Sequence, residues 1–197
     1  MNSTLVIKIF LALAFFSATA IAGESGAPVV IDPSIQNYSG LFSQKLVKKY
    51  VLGEVTDKRK NAGSDTVGTT RTGRFVTSPL LCRPVPTAVM LNSLTGMFRE
   101  LGVLAEEKGA ADFQIDVELL DCTVEEMNKV FSQQIKATLK IRVNVRTAAS
   151  GALVNQFVIK SEDARSAVDT TPFAVKVTTN AVVTALQDLL DSLVTIQ

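Results

Sequence analysis

The chain has 197 residues, of which 47% are hydrophobic, with 20 Lys plus Arg against 19 Asp plus Glu and no histidine. This balance of charge argues against a nucleic-acid partner, because such proteins present an excess of basic residues. The lack of histidine excludes Ser-His-Asp and Cys-His nucleophile systems and histidine-bearing metal sites. The sequence also lacks the GxxxxGK[ST] and GxGxxG phosphate-binding patterns. We therefore expect no catalytic residues, no metal and no cofactor.

Residues 1–22 have the pattern of a secretory signal peptide. Lys8 precedes an apolar run at residues 9–16, and small residues that suit a cleavage site follow. The run is shorter than the roughly 20 residues that span a bilayer, although a retained anchor helix is the alternative. No cysteine near the cleavage site offers a lipid attachment point. We expect a soluble exported protein that begins near Gly23 and has no transmembrane segment after cleavage.

Two cysteines, Cys82 and Cys122, fall in the mature part. An exported chain meets an oxidising compartment, where paired cysteines are commonly joined. We therefore expect a disulfide between them. Two buried free thiols are the alternative.

About 175 residues remain after cleavage, a length that suits one domain. Residues 23–49 read as an extended N-terminal lead in which VVIDPSI, at residues 29–35, forms a brief edge strand or an arm. The segment YVLGEVTD, at residues 50–57, predicts a strand. A loop follows it to about Leu80, and residues 50–197 form the single domain.

A helical period begins near Thr87, which follows Pro86 and can cap the helix, and it ends at Gly102. Its apolar positions recur at three- and four-residue steps: Met90, Leu94, Met97, Phe98 and Leu101. These side chains suit a core better than a cofactor pocket. The helix therefore predicts a sheet that it covers.

Three strands with alternating apolar and polar residues follow, at residues 112–122, 135–146 and 152–161. A turn at residues 147–151 makes them an antiparallel meander. The last helix starts at Thr171-Pro172 and has an apolar stripe: Thr178, Ala181, Val182, Ala185, Leu186, Leu189, Leu190 and Leu193. The prediction is an α+β two-layer sandwich, in which two helices cover one face of a mostly antiparallel sheet of four to five strands in the order β-α-β-β-β-α.

The predicted loop after the first long strand is rich in charge and glycine. Asp57 ends the strand, and the basic residues that follow are Lys60 and four candidates for partner binding, Lys58, Arg59, Arg71 and Arg74. We expect these four side chains to bind a partner, since arginine forks recognise phosphate and carboxylate groups. The alternative is that Asp57 and Arg59 fix the turn while the other residues are solvated.

Carboxylates offer the remaining route to catalysis, as an exported hydrolase of cell-wall or surface glycans that works with two acidic residues. The candidates are Asp57, Asp116, Glu118 and Asp121. Asp116 and Glu118 point the same way from one strand, but the next strand presents Lys140 and Arg142. Cross-strand ion pairs on a wet face therefore account for them, and the hydrolase is our alternative function.

In this order of elements the chain resembles the YajG family of bacterial envelope lipoproteins. The resemblance rests on VVIDPSI, on GEVTDKR with its Asp57 and Arg59, on LGV after the first helix, on DFQIDVELLD and on RTAASGALVNQF. More loosely, the arrangement is similar to the auxiliary lipoproteins PqiC and LptE. The chain departs from the family in lacking the lipid-bearing cysteine.

The resemblance implies a periplasmic location and a non-enzymatic role in the cell envelope. We expect an accessory or binding module that acts through its open sheet face and its basic loop. Its partner is expected to be an envelope protein or a lipid, and a homodimer is a further expectation.

Overall fold

The computed structural model describes residues 26–71, 76–129, 132–167 and 170–196. The predicted signal peptide and Arg74 lie outside these ranges. The fold is α+β, as predicted, with a seven-stranded sheet and two helices. The elements in chain order are β1 (Val29–Ile31), β2 (Tyr50–Asp57), β3 (Thr66–Arg71), β4 (Thr77–Cys82), α1 (Pro86–Glu100), a 3-10 turn (Lys108–Ala110), β5 (Phe113–Lys129), β6 (Ser132–Thr147), β7 (Leu153–Ala167) and α2 (Thr170–Val194).

The predicted meander of β5, β6 and β7 is confirmed, and its strands of 17, 16 and 15 residues are longer than expected. Both pairings are antiparallel, so Glu118 lies opposite Arg142, and Arg142 opposite Val158. Gly151 adopts a φ of 72° in the turn between β6 and β7, a conformation that glycine tolerates best. The alternation of apolar and polar residues sends one set of side chains to the core and the other to the opposite face.

The other half of the sheet differs from the prediction. β2 runs parallel to the first part of β5, and β3 meets the second part at one position, Gly68 opposite Val124. β3 then pairs with β4, and β1 lies parallel to β4 at the edge. The expected number of four to five strands is therefore wrong. The parallel pairings of β1 with β4 and of β2 and β3 with β5 depart from the mostly antiparallel sheet that we expected, and the predicted β-α-β-β-β-α order lacks β3 and β4.

The segment predicted as a loop to about Leu80 holds the hairpin of β3 and β4. Gly68 resembles a turn residue in the sequence, but it marks a close approach of two strands. A Cβ atom there would lie 1.9 Å from the backbone oxygen of Val124, so only glycine fits. Pro79 lies within β4 and lowers its strand signal. Gly68 weakens the strand pattern of β3 and Pro79 that of β4, although the other positions of both strands are rich in threonine and apolar residues.

The two helices cover one face of the sheet, with α1 against β2 and α2 against β6 and β7. Pro86 occupies the first turn of α1, and the N-cap is Val85 without a side-chain bond, so the predicted cap at Thr87 is wrong. Gly102 ends this region with a φ of 67° and donates its N–H to Arg99 O, as expected. The predicted apolar stripe of α2 is buried throughout.

The core continues into the N-terminal lead. Ile31 and Phe42 are buried in the same cluster as the residues of the two helices. Tyr50 is fully buried and stacks on Phe98, with ring centroids 5.3 Å apart. No helix of the described residues covers the opposite face of β2, β5 and β6. Charged and polar side chains lie on this open face.

Candidate functional site

The turn after β2 is organised by Asp57 and Arg59. The Arg59 Nε and Nη2 atoms donate to the two carboxylate oxygens of Asp57 at 2.9 and 2.8 Å, and Nη2 also donates to Ser64 O at 2.7 Å. Gly63 N donates to the same carboxylate at 2.9 Å. These bonds close the turn between β2 and β3, as one of our two interpretations expects.

Burial decides what Arg59 can do. Its side chain is 3% exposed, and the carboxylate of Asp57 is its charge partner. The hydrogen bonds from the Arg59 side chain, joined by those from the Gly63 and Arg59 backbone, lower the pKa of Asp57 from 3.8 to about 2. Arg59 is therefore a structural cation inside the turn and has no surface to offer a partner.

The described basic residues that we also predicted to bind a partner, Lys58 and Arg71, are exposed, unlike the buried Arg59. Lys58 is exposed beside the open face. Arg71 is exposed at the end of β3, where its N–H donates to Glu126 Oε2 at 3.0 Å. Arg74 lies outside the described residues. Of the three that the structure describes, Lys58 lines a groove on the open face, and Arg71 lines a smaller cavity of about 190 Å³ beside Glu126.

The two cysteines are free thiols buried in the core, so the predicted disulfide is wrong and the alternative holds. The Cys82 thiol donates to Pro84 O at 3.3 Å. Burial raises the pKa of Cys82 to about 12, with a further contribution from the neighbouring Cys122. Burial likewise raises the pKa of Cys122 to about 11. Both groups therefore remain protonated and behave as small apolar side chains.

Asp116 lies on the open face, where it fixes an irregularity in β2. The register of β2 shifts between Leu52 and Val55, and Asp116 Oδ1 accepts the N–H of Glu54 at 3.2 Å. A Cβ atom on Gly53 would lie 1.9 Å from the same oxygen, so the carboxylate needs the glycine. Sequence reasoning missed this role, although a Gly-Glu pair inside a strand is a signal for a bulge.

Arginines on β6 pair with two of the four carboxylates that we considered for catalysis. Arg142 pairs with Glu118 at 2.6 Å and Arg146 with Asp116 at 3.2 Å. Gln114 Nε2 also donates to Asp116 at 2.7 Å. This confirms the cross-strand ion pairing that we expected for this face, with Arg142 as one of the predicted partners.

A groove of about 440 Å³ lies among these side chains on the open face. Its walls come from β2, β5 and β6, and Lys58 stands just after β2. The lining includes Glu54, Thr56, Lys58, Gln114, Asn144 and Arg146. The groove thus combines donors, acceptors and both signs of charge, which suits a polar ligand rather than an acyl chain.

A second cavity, of about 500 Å³, opens where β3 diverges from β5. Val67, Val124 and Met127 give it a more apolar wall than the first groove. Glu126 closes its far end by accepting hydrogen bonds from the hydroxyl of Thr70 and the N–H of Arg71. Both donors lie on β3, a strand that the sequence did not predict.

Neither a metal site nor a membrane span is found in the described part of the chain. No group of three or more Cys, Asp or Glu residues there is placed to hold a metal ion. No helix within the same ranges is long and apolar enough to cross a membrane.

Comparison with known proteins gives structural matches alone: no family model and no curated protein sequence matches the chain. Protein XCC0632 from Xanthomonas campestris, described under the family DUF330, superposes with a TM-score of 0.59 at 12% identity, over 85% of this chain and 95% of that one. The chain shares the fold of XCC0632. The YajG resemblance itself is matched by no family model and stays a prediction.

Weaker matches include two bacterial lipoproteins. GNA1162 from Neisseria meningitidis has a TM-score of 0.38 at 7% identity, over 72% of this chain and 99% of that one. A minor lipoprotein from Acinetobacter baumannii has a TM-score of 0.41 at 9% identity, over 76% and 92%. The structural neighbours of this chain thus include bacterial lipoproteins.

Proposed function

We propose that the protein is a non-enzymatic module of the bacterial envelope that binds a polar segment of another envelope protein in the groove of its open face. The observation that carries this proposal is a concave, mixed-charge surface on a sheet face that no helix of the described ranges covers. Grooves of this kind provide hydrogen-bond partners for an extended peptide. Its polar lining makes a protein segment a better occupant than the lipid that we also considered.

The signal-peptide pattern supports export, and the missing cysteine near the cleavage site supports a soluble periplasmic form. The YajG resemblance supports an envelope role. The carboxylates support binding over hydrolysis, because Asp57, Asp116 and Glu118 each accept charge-assisted hydrogen bonds from arginine. A carboxyl group committed in this way is a poor general acid.

In-cell photo-crosslinking tests the proposal. A benzophenone amino acid replaces Thr56 in the groove, and in a second strain it replaces the exposed Thr184 on α2. We expect a discrete adduct from position 56 and none from 184. Lys58→Glu should reduce the adduct about tenfold, which corresponds to about 1.4 kcal/mol of binding energy.

Lys60→Glu is the matched control, because Lys60 is also exposed in the turn but does not line the groove. It should leave the adduct unchanged. Exported, folded protein that gives no adduct from position 56 would contradict the proposal. Release of sugars from purified cell-wall material, abolished by Glu118→Gln, would support the hydrolase instead.

A further inference from the structure

The last strand of the sheet has an open edge. β7 pairs with β6 on one side and is the terminal strand in the sheet order. It is 15 residues long, whereas β1 at the opposite end has three and is followed closely by Pro33. Long edge strands expose backbone groups that pair with another strand, and proteins usually shorten or block them.

The backbone of β7 shows where the edge is open. Gln156 N is bonded to Asn155 Oδ1 at 2.8 Å, and Ala164 N to Asp163 Oδ1 at 3.0 Å, so both N–H groups point away from β6. Because β-strands alternate, the N–H groups of Val158, Lys160 and Glu162 point the same way. No side chain in the described ranges accepts a hydrogen bond from these three N–H groups. They form an open window of the edge between Gln156 and Ala164, whose own N–H groups are bonded to side chains.

Apolar and charged side chains flank this window. Leu153, Val154 and Val158 are exposed large hydrophobic residues that share this one strand, and Val158 is 50% exposed. Lys160 and Glu162 follow on the open face and pair with each other at 2.7 Å within the chain. An edge that carries apolar side chains and both charges suits a partner of the same kind.

We propose that β7 pairs antiparallel with β7 of a second copy of this chain, with the twofold axis at Ser161. In this register Lys160 faces Glu162 of the second copy, Glu162 faces Lys160, and Val158 faces Ala164. A shift of the axis to Lys160 would place two lysines opposite each other, which opposes pairing. The two pairs of opposite charge therefore favour the register centred on Ser161.

The pairing would join the two sheets into one. At its centre, Lys160 and Glu162 of the two copies exchange four backbone hydrogen bonds. The contact is narrow, so we expect a reversible dimer rather than an obligate one. The edge is separate from the groove, and this proposal does not depend on the function proposed above.

Two charge-reversal variants test the pairing in the exported, processed protein. Lys160→Glu and Glu162→Lys each place like charges opposite each other in a homodimer, so each variant alone should sediment as a monomer. In an equimolar mixture, one copy carries a glutamate at both positions and the other carries a lysine at both, so every facing pair has opposite charges. The mixture should therefore dimerise at least as strongly as the wild type, and circular dichroism of each variant checks its folding.

The matched control mixture is Lys108→Glu with Glu100→Lys, which makes the same charge changes at exposed positions outside the sheet. Each control variant alone and the mixture of the two should dimerise as the wild type does. In the wild type, the amides of Lys160 and Glu162 should exchange with deuterium more slowly as concentration rises, while that of Gln156 should not change.

Three results would overturn the proposal. The first is that the wild type and the mixture of the two charge-reversal variants both stay monomeric at millimolar concentration. The second is a dimer that forms equally well in each charge-reversal variant alone. The third is a dimer in which the amides of Lys160 and Glu162 gain no protection, since the copies would then meet through another surface.

Discussion

Replacing Asp57 with Asn removes the charge that compensates the buried guanidinium of Arg59. The carboxylate accepts two bonds from the Arg59 side chain, one from Arg59 N and one from Gly63 N. An asparagine keeps one oxygen acceptor and turns an NH₂ group toward donors that need an acceptor. Since the Arg59 side chain is 3% exposed, water cannot replace the lost charge.

The pKa gives one measure of the size of this effect. The pKa of Asp57 falls from 3.8 to about 2 in the folded protein, so the ionised carboxylate contributes about 2 kcal/mol of stability at neutral pH. The variant should lose more, about 3 to 5 kcal/mol, because it also leaves a buried cation without a partner. Arg59→Met in the same chain should recover part of that loss.

Urea unfolding at pH 7, followed by circular dichroism, measures the loss. A folded pKa below the unfolded value gives stability that is complete above about pH 4 and disappears as the pH falls to about 2. The difference between wild type and Asp57→Asn should therefore narrow across that interval.

Glu118→Gln is the control, since it breaks an ion pair on the open face, where Glu118 is 26% exposed, and should cost less than about 1 kcal/mol. A loss below about 1 kcal/mol for Asp57→Asn at pH 7 would refute the reasoning. Arg59 would then be held by something other than Asp57.

Three further predictions rest on close contacts and burial. Gly68→Ala should destabilise the protein by about 2 kcal/mol or more in urea unfolding, because its Cβ meets a backbone oxygen of β5, whereas Gly109→Ala, with open space around it, should change stability by less than about 0.5 kcal/mol. Cys82 and Cys122 should react with a maleimide only after unfolding, and rapid labelling of the native protein would contradict their burial. Asp116→Asn should cost about 1 to 2 kcal/mol by weakening the bonds that fix the β2 bulge, and an unchanged urea midpoint would contradict that role.

The elements that could be predicted from sequence are those with a sustained period. Alternating apolar residues predict the strands β5 and β6, and an apolar stripe predicts the helix α2. In each case one face of the element must be buried, so the pattern fits one type of secondary structure. The direction of β2 could not be read in this way. Its parallel pairing with β5 is made after the chain has passed through β3, β4 and α1, and no local pattern encodes that crossover.

At the site, residue identities could be predicted better than their surroundings. Asp57 and Arg59 were paired correctly because they are two residues apart, and a short side-chain fork reaches that distance. The burial of Arg59 depends on β3 and β4, and these strands are hard to predict from the sequence because they contain Gly68 and Pro79. The cysteine pairing failed for a similar reason: composition indicates a compartment, but the direction of each thiol is set by packing.

One of the charges that suggest a partner-binding loop is used inside the protein, and arginines on the open face are paired as well. Arg59 is neutralised by Asp57, and Arg142 and Arg146 by the carboxylates of β5. Removing Lys8 with the predicted signal peptide leaves 19 Lys plus Arg, equal to the 19 Asp plus Glu. Long-range electrostatic attraction is therefore weak, and the binding that we propose in the groove and along the edge of β7 rests on short-range complementarity. Both surfaces offer hydrogen-bonding groups in a fixed register, which favours an extended protein chain over a diffuse anionic surface as the partner.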